Sequence, residues 1–185
     1  MVDRAHLPPH DLEAEQSVLG AMLANDAAAQ TVPDLLAADD FYREAHRLVF
    51  RACAQLVEQE KSPDVVSVIA HLRDHGTLED VGGSEYVYTL AEFVPAAANA
   101  PQYATIVREQ SVRRSIIRVG NEIAELGYTR PDEVAELVRR AQAKAESLSA
   151  RDGRRSEAVP GEVAFFDCLQ DIERRRSGQV AGLPW

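Results

Sequence analysis

His71 and His75 stand one helical turn apart, a spacing at which two imidazoles could hold a zinc ion from one helix face. The residues between them, Leu72, Arg73 and Asp74, lack the glutamate of a metalloprotease helix. An arginine beside the pair also opposes a cation, so a solvated helix face is the preferred reading. Gly82-Gly83 is the nearest thing to a phosphate-binding turn. A phosphate cradle needs Lys and then Ser or Thr at a helix start, where backbone N–H groups and the ammonium meet the anion. Here Ser84-Glu85 follows, which puts a carboxylate where a cation is needed, and the chain has no Gly-Lys dipeptide. Gly82-Gly83 is therefore assigned to a turn. Cys53 and Cys168 lie in different segments, in no CxxC pair and with no histidine at useful spacing. A reduced, cytoplasmic protein is the simplest reading. Asp39-Asp40 and the pair Glu58 and Glu60 read as solvated carboxylates, and His46 as a capped or partly buried structural histidine. Arg174-Arg175-Arg176, at a helix C-terminus, are favourable with the helix dipole, which makes DNA contact the lesser reading. The expectation is a chain with no catalytic residues, no metal site and no cofactor site.

The overall balance agrees with that. The chain has 185 residues and a formal net charge of −10. An acidic body cannot track DNA through nonspecific phosphate contacts, although a local basic patch could. After Ala150 arginines and carboxylates balance, so the first 150 residues carry the whole excess. No run of apolar residues is long enough to span a bilayer, and the opening MVDRAHLPPH has no apolar core of a secretory signal.

The elements read as helices throughout. Asp11 is a good N-cap for an apolar face at Leu12, Val18, Leu19, Met22 and Leu23, and Asn25-Asp26 closes that helix. A short helical piece to Leu36 follows, then a helix from about Arg43 to Glu60. Ser62-Pro63-Asp64 restarts the chain, and Gly76 stops the next helix. Ser84 is expected to cap a short helix from Glu85 to Phe93, which Pro95 ends. β-Branched residues never alternate with polar ones over a useful length, so the fold class is all-α.

Beyond Pro101, Val112, Ile116, Val119, Ile123 and Leu126 recur at spacings of 4, 3, 4 and 3. After the turn GYTRP, Val134, Val138, Ala141, Ala145 and Leu148 recur at the same spacings. Two matched seams joined by a tight turn predict an antiparallel helical hairpin. Its first arm has a further apolar row, Tyr103, Ile106, Ile117, Gly120 and Ala124, with Leu137 spare on the second arm. Packing on the globule and use as an interface stand level near Tyr103, and for Ile117 to Ala124 the interface is preferred. ARDGRRSEAVP has linker composition, and Glu162 to Arg176 gives one more amphipathic helix carrying Phe165, Phe166 and Leu169.

In order and spacing, this punctuation resembles the N-terminal domain of bacterial replicative DNA helicases of the DnaB type. The segments that carry the resemblance are PPHDLEAEQSVLGAML (Pro8 to Leu23), DFYREAHRLVFRACAQL (Asp40 to Leu56) and the run of Gly76, Gly82-Gly83 and Pro95 within Asp64 to Tyr128. The likeness spans roughly Pro8 to Leu148 and returns at Gly178 to Pro184. It implies a helical globule over 8–100, a hairpin over 101–149, a flexible linker over 150–160, a linker helix over 161–177, and a truncated lead-in to an absent ATPase domain over 178–185. In the family, hairpins of neighbouring subunits pair, three pairs form a collar above six motor domains, and the collar meets a DnaG-type primase. The resemblance implies self-association (dimer, then trimer of dimers in a hexamer), for which the spare apolar row supplies the candidate residues Ile106, Ile117, Gly120, Ala124 and Leu137. It implies primase-facing positions at Tyr86, Ile117 and Ile123, flanked by Arg113 and Arg114, and docking of the Phe165, Phe166 and Leu169 helix on a neighbouring motor. The family also carries a histidine at the place of His46. ATP, magnesium and DNA contact belong to the motor in this picture, and a helicase loader is a further partner. Two readings from other classes remain: a free-standing regulator that co-assembles with a full-length helicase or titrates primase, and a small nucleic-acid-binding module using the arginine-rich tail.

Overall fold

The computed structural model describes residues 7–93, 99–128 and 134–156, with backbone alone beyond residue 148. The expected Pro95 stop, the middle of the hairpin turn, the linker helix with Phe165, Phe166 and Leu169, and the stretch 178–185 lie outside the described residues. Among the described residues every regular element is helical. The helices are α1 (Leu12–Ala24), α2 (Asp26–Leu35), α3 (Glu44–Glu58), α4 (Val65–Asp74), α5 (Leu78–Val81), α6 (Gly83–Glu92), α7 (Ala100–Tyr128) and α8 (Val134–Ser156), with a 3₁₀ turn at Ala38–Asp40.

Helix α1 is the centre of the globule. Val18, Leu19, Ala21 and Met22 are buried on successive sides of it, and it packs on α2, α3, α6 and α7. From Val18 to Leu23 the helix is apolar or small on every side, and such a stretch has to be enclosed by others. Its start is local chemistry, since the Asp11 carboxylate accepts from Ala14 N at 3.0 Å. Asn25 ends α1 and begins α2 by accepting from Ala27 N and Ala28 N. At the end of α4, Gly76 takes φ +69°, Thr77 N reaches Leu72 O and Gly76 N reaches Arg73 O, the paired bonds of a Schellman stop. Ser84 does not cap α6. Gly82, at φ +107°, ends α5 and begins α6 in one step, so Ser84 already lies inside the first turn.

Asp64 caps α4 with more bonds than any other cap described. Its carboxylate accepts from Val66 N, Ser67 N and the Ser67 hydroxyl. These donors, the Ser67 amide first, hold its pKa below the ordinary carboxylate value against a smaller opposing effect of burial. A depressed folded pKa contributes stability above the unfolded value, and that stability is lost as pH falls through the folded one. Asp64→Ala should therefore cost about 1 kcal/mol at neutral pH. The gap between the urea midpoints of wild type and variant should close on acidification below the carboxylate range.

Helix α7 is 29 residues long, or about 43 Å at 1.5 Å per residue. Its first half belongs to the globule: Ala100, Ala104, Val107 and Ser111 are buried, and Tyr103 packs on the same core. Its second half leaves the globule and pairs with α8. The two helices pair, and the α7 row is covered as expected except at Ile116, whereas the α8 row is shifted. Leu137, Ala141, Lys144 and Leu148 are half-buried, whereas Val134 and Val138 are exposed and so is Ala145. Lys144 Nζ bonds Glu122 of α7 at 2.6 Å, which identifies this row as the one turned toward α7. On α7, Val119 is buried, and Val112, Glu122, Ile123 and Leu126 are half-buried, while Ile116 is 53 % exposed. The helix α8 also continues to Ser156, into the segment 150–160 whose composition predicts a flexible linker.

Candidate assembly and partner surface

The side of α7 turned away from Val119 carries Ile106, Arg113, Ile117, Gly120, Ala124 and Tyr128. Their spacings of 7, 4, 3, 4 and 4 place them along one stripe. All are exposed, Ile117 to 49 % and Tyr128 to 91 %. A Cβ added at Gly120 would meet no atom within 4 Å. The folded monomer therefore gives no packing reason for a glycine here, although glycine in a helix interior costs about 1 kcal/mol relative to alanine. Four of the five sequence-derived association residues, Ile106, Ile117, Gly120 and Ala124, thus share one open face. Leu137 does not join them, because it lies on the row that packs against α7. Ile116, Val134 and Val138 are the large apolar side chains that the shifted seam leaves in solvent.

The residues expected to face a partner separate in the same way. Arg113 and Ile117 are exposed on the stripe. Ile123 is half-buried in the hairpin seam. Arg114 is a fastener. Its Nη1 donates to Pro9 O at 2.8 Å, its Nη2 donates to Asp40 O, and its guanidinium lies over the Tyr42 ring at 5.9 Å. It thereby ties α7 to the N-terminal arm and to the 3₁₀ turn, and burial is the main cause of its lowered pKa.

Tyr86 is held rather than presented. Its ring is half-buried against the core, and its hydroxyl meets His46 Nε2 at 2.7 Å and accepts from Arg43 Nη1 at 3.0 Å. His46 is fully buried, and its Nδ1 meets Glu15 Oε2 at 2.6 Å. Glu15, 1 % exposed on α1, also accepts from Tyr42 N and more distantly from Arg43 N just ahead of α3. A carboxylate acceptor places the ring proton on Nδ1 and leaves Nε2 to take the tyrosine hydroxyl. One polar chain thus joins α1, α3 and α6 through the core. The sequence did not single out Glu15, because Glu13 and Gln16 stand beside it in the same helix and only the packing shows which of them is buried.

The remaining sequence candidates settle into structural roles. His71 Nε2 meets Gln55 Oε1 at 2.8 Å, His75 Nδ1 meets His71 O at 2.8 Å, and the two rings stack at 4.1 Å. One nitrogen of each ring is thus already engaged by protein. Burial pushes the Cys53 thiol up to about 12, which keeps it unreactive. Asp40 accepts from the Ser111 hydroxyl and from Ala37 N, and Arg108 lies 3.7 Å from it. No helix among the described residues is long and apolar enough to cross a membrane.

Residues 7–109, more than half of the chain, match the model of the DnaB-like helicase N terminal domain. The chain belongs to that family. Relatives include the replicative DNA helicase DnaB of Geobacillus stearothermophilus, 38 % identical over 96 % of this chain, and that of Mycobacterium leprae, 42 % identical over 92 %. The chain spans 39 % and 28 % of those two proteins' lengths. The crystal structure of the N-terminal domain of DnaB helicase from Mycobacterium tuberculosis matches with a TM-score of 0.72 at 42 % identity, over 76 % of this chain and 99 % of that one. A DnaB-like replicative helicase matches in fold with a TM-score of 0.63 at 21 % identity, over 94 % of this chain and 37 % of the other. A DnaB-type globule and hairpin therefore present the α7 stripe.

Proposed function

We propose that this chain is an assembly and primase-recruiting domain of a replicative DNA helicase, with no nucleotide site of its own. The observation that carries the reading is the open stripe through Ile117, Gly120 and Ala124 on an arm that extends past the globule. An exposed apolar row of this kind marks a protein interface, and its central glycine allows a second helix to approach closely. The stripe would join copies of the chain into dimers and, in the whole helicase, into a trimer of dimers. Support for the second half of the proposal comes from the DnaB-like replicative helicase described above, whose structure was determined together with its interactions with primase.

Primase contact would use Ile117 and Arg113 directly, with Tyr86 acting through the residues it positions. The test is light scattering of the chain with and without the C-terminal domain of a cognate primase, followed by calorimetry. Tyr86→Ala should weaken primase binding by about 1–3 kcal/mol while leaving the mass of the oligomer unchanged. Tyr86→Phe separates the two ways Tyr86 could act. It should resemble Tyr86→Ala if the hydroxyl's bonds to His46 and Arg43 matter, and wild type if the ring itself is the contact. A primase domain that ignores the wild-type oligomer at tens of micromolar would leave assembly as the role of this chain.

A further inference from the structure

Helix α8 carries two apolar rows, and α7 can cover only one of them at a time. Leu137, Ala141, Lys144 and Leu148 form the row that is half-buried against α7. Val134, Val138, Ala141, Ala145 and Leu148 form the other, which repeats at the same spacings as the apolar row of α7. The two rows share Ala141 and Leu148 and elsewhere differ by one residue. Successive helical residues stand about 100° apart, so turning α8 about its own axis by roughly half that angle exchanges them. The row in use holds a lysine where the other holds Ala145, and it leaves Val134 and Val138 in solvent. Apolar burial alone therefore gives it no advantage. Its advantage is a charge pair: Lys144 Nζ lies 2.6 Å from Glu122 Oε2, and Arg118 Nη1 lies 2.6 Å from Glu122 Oε1. Glu122 and Lys144 are both half-buried, so salt screens their attraction less than it would on an open surface. A polar pair in a helical seam specifies one register at a cost in stability.

We propose that the Glu122–Lys144 pair is a lock that selects between two rotational settings of α8 on α7. With the lock closed, Leu137 and Lys144 take the seam. With it open, α8 turns, Val134, Val138 and Ala145 take the seam, and Leu137 and Lys144 move out toward solvent. One setting has the ion pair and the other has the second apolar row, so each holds something the other gives up. Packed helices exchange between discrete arrangements of this kind instead of sliding continuously. The stripe through Ile117, Gly120 and Ala124 lies on the opposite side of α7 and is the same in both settings. What changes is the flank that α8 shows beside it, which is apolar when the lock is closed and basic when it is open. Anything that draws the Lys144 charge away from Glu122 biases the hairpin toward the second setting.

The experiment measures thiol labelling by a maleimide in the full chain carrying Cys168→Ser, where the remaining Cys53 is buried. Leu137→Cys and Val138→Cys are introduced one at a time, each with Lys144 intact, with Lys144→Gln and with Lys144→Glu. With Lys144 intact, Val138→Cys should react faster than Leu137→Cys. Lys144→Glu sets two carboxylates against each other. It should speed Leu137→Cys and slow Val138→Cys, each by roughly tenfold, as when a setting populated to about a tenth becomes the main one. Lys144→Gln should move both rates in the same directions by less, and it carries the test if Lys144→Glu lowers the helicity seen by circular dichroism. Adding Glu122→Lys to Lys144→Glu restores the pair with its signs exchanged and should return both rates toward those of the intact lock. Both thiols reacting faster would mean that the hairpin merely opens, and unchanged rates would mean that the pair selects nothing; either result overturns the proposal. So does protection of Val138→Cys that fades on dilution as the mass from light scattering falls, because a second copy would then be what covers it.

Discussion

Glu15→Ala should remove about 2–5 kcal/mol of folding stability, as much as truncating a large apolar side chain of the core. The side chain is buried and accepts from Tyr42 N at 2.6 Å and pairs with His46 Nδ1 at 2.6 Å. Deleting it leaves both of those donors in the core without an acceptor, and a buried polar group without a partner costs about 1–3 kcal/mol. Loss of side-chain volume beside His46 adds to this. The measurement is urea denaturation of wild type, Glu15→Ala and Glu15→Gln at one protein concentration, because association also stabilises the folded state. Glu15→Gln should fall between the other two, since an amide oxygen still accepts from Tyr42 N but its NH₂ group cannot accept from the imidazole. A shift below about 0.5 kcal/mol for Glu15→Ala would show that water or a rotated His46 replaces the carboxylate, and the polar chain would then not be a structural strut.

On the hairpin, Ile117→Asp should weaken self-association by at least about thirtyfold, the effect of removing a central anchor worth about 2 kcal/mol. Ile117 is half exposed in the monomer, so an aspartate there should leave the monomer's own fold in place. Gly120→Leu should act with the same sign on association and the opposite sign on the helix. Leucine is the better helix former by nearly 1 kcal/mol, and nothing in the monomer obstructs a side chain at this position. A bulky residue would instead keep a second helix from approaching. Sedimentation or light scattering gives the mass, and circular dichroism gives the helicity. Helicity maintained or raised together with a lower mass is the outcome expected of an interface glycine. Wild-type mass in both variants would move the interface to the flank bearing Ile116, Val134 and Val138.

Local chemistry was legible in the sequence wherever a single residue sets the backbone. Asp11, Asn25, Asp64 and Gly76 cap or stop helices through bonds to residues two to five positions away, so their effect is written next to them. The two long arms and the Ile117, Gly120 and Ala124 stripe followed from helical spacing alone. The tertiary structure decided what spacing cannot. On α8 the expected row of Val134, Val138 and Ala145 and the row of Leu137 and Lys144 run side by side, and both continue through Ala141 and Leu148. The second faces α7, where Leu137 and Leu148 are half-buried and Lys144 reaches Glu122. The resemblance implies a partner contact at Tyr86 with Arg114 flanking it, and each of these side chains has a polar tip. They are fasteners because Pro9, Asp40, His46 and Arg43, all distant in sequence, bring hydrogen-bonding partners to those tips. A side chain's spacing says which face of its helix it occupies. Whether that face meets water or a partner for its polar atoms is settled only when the helices close around α1.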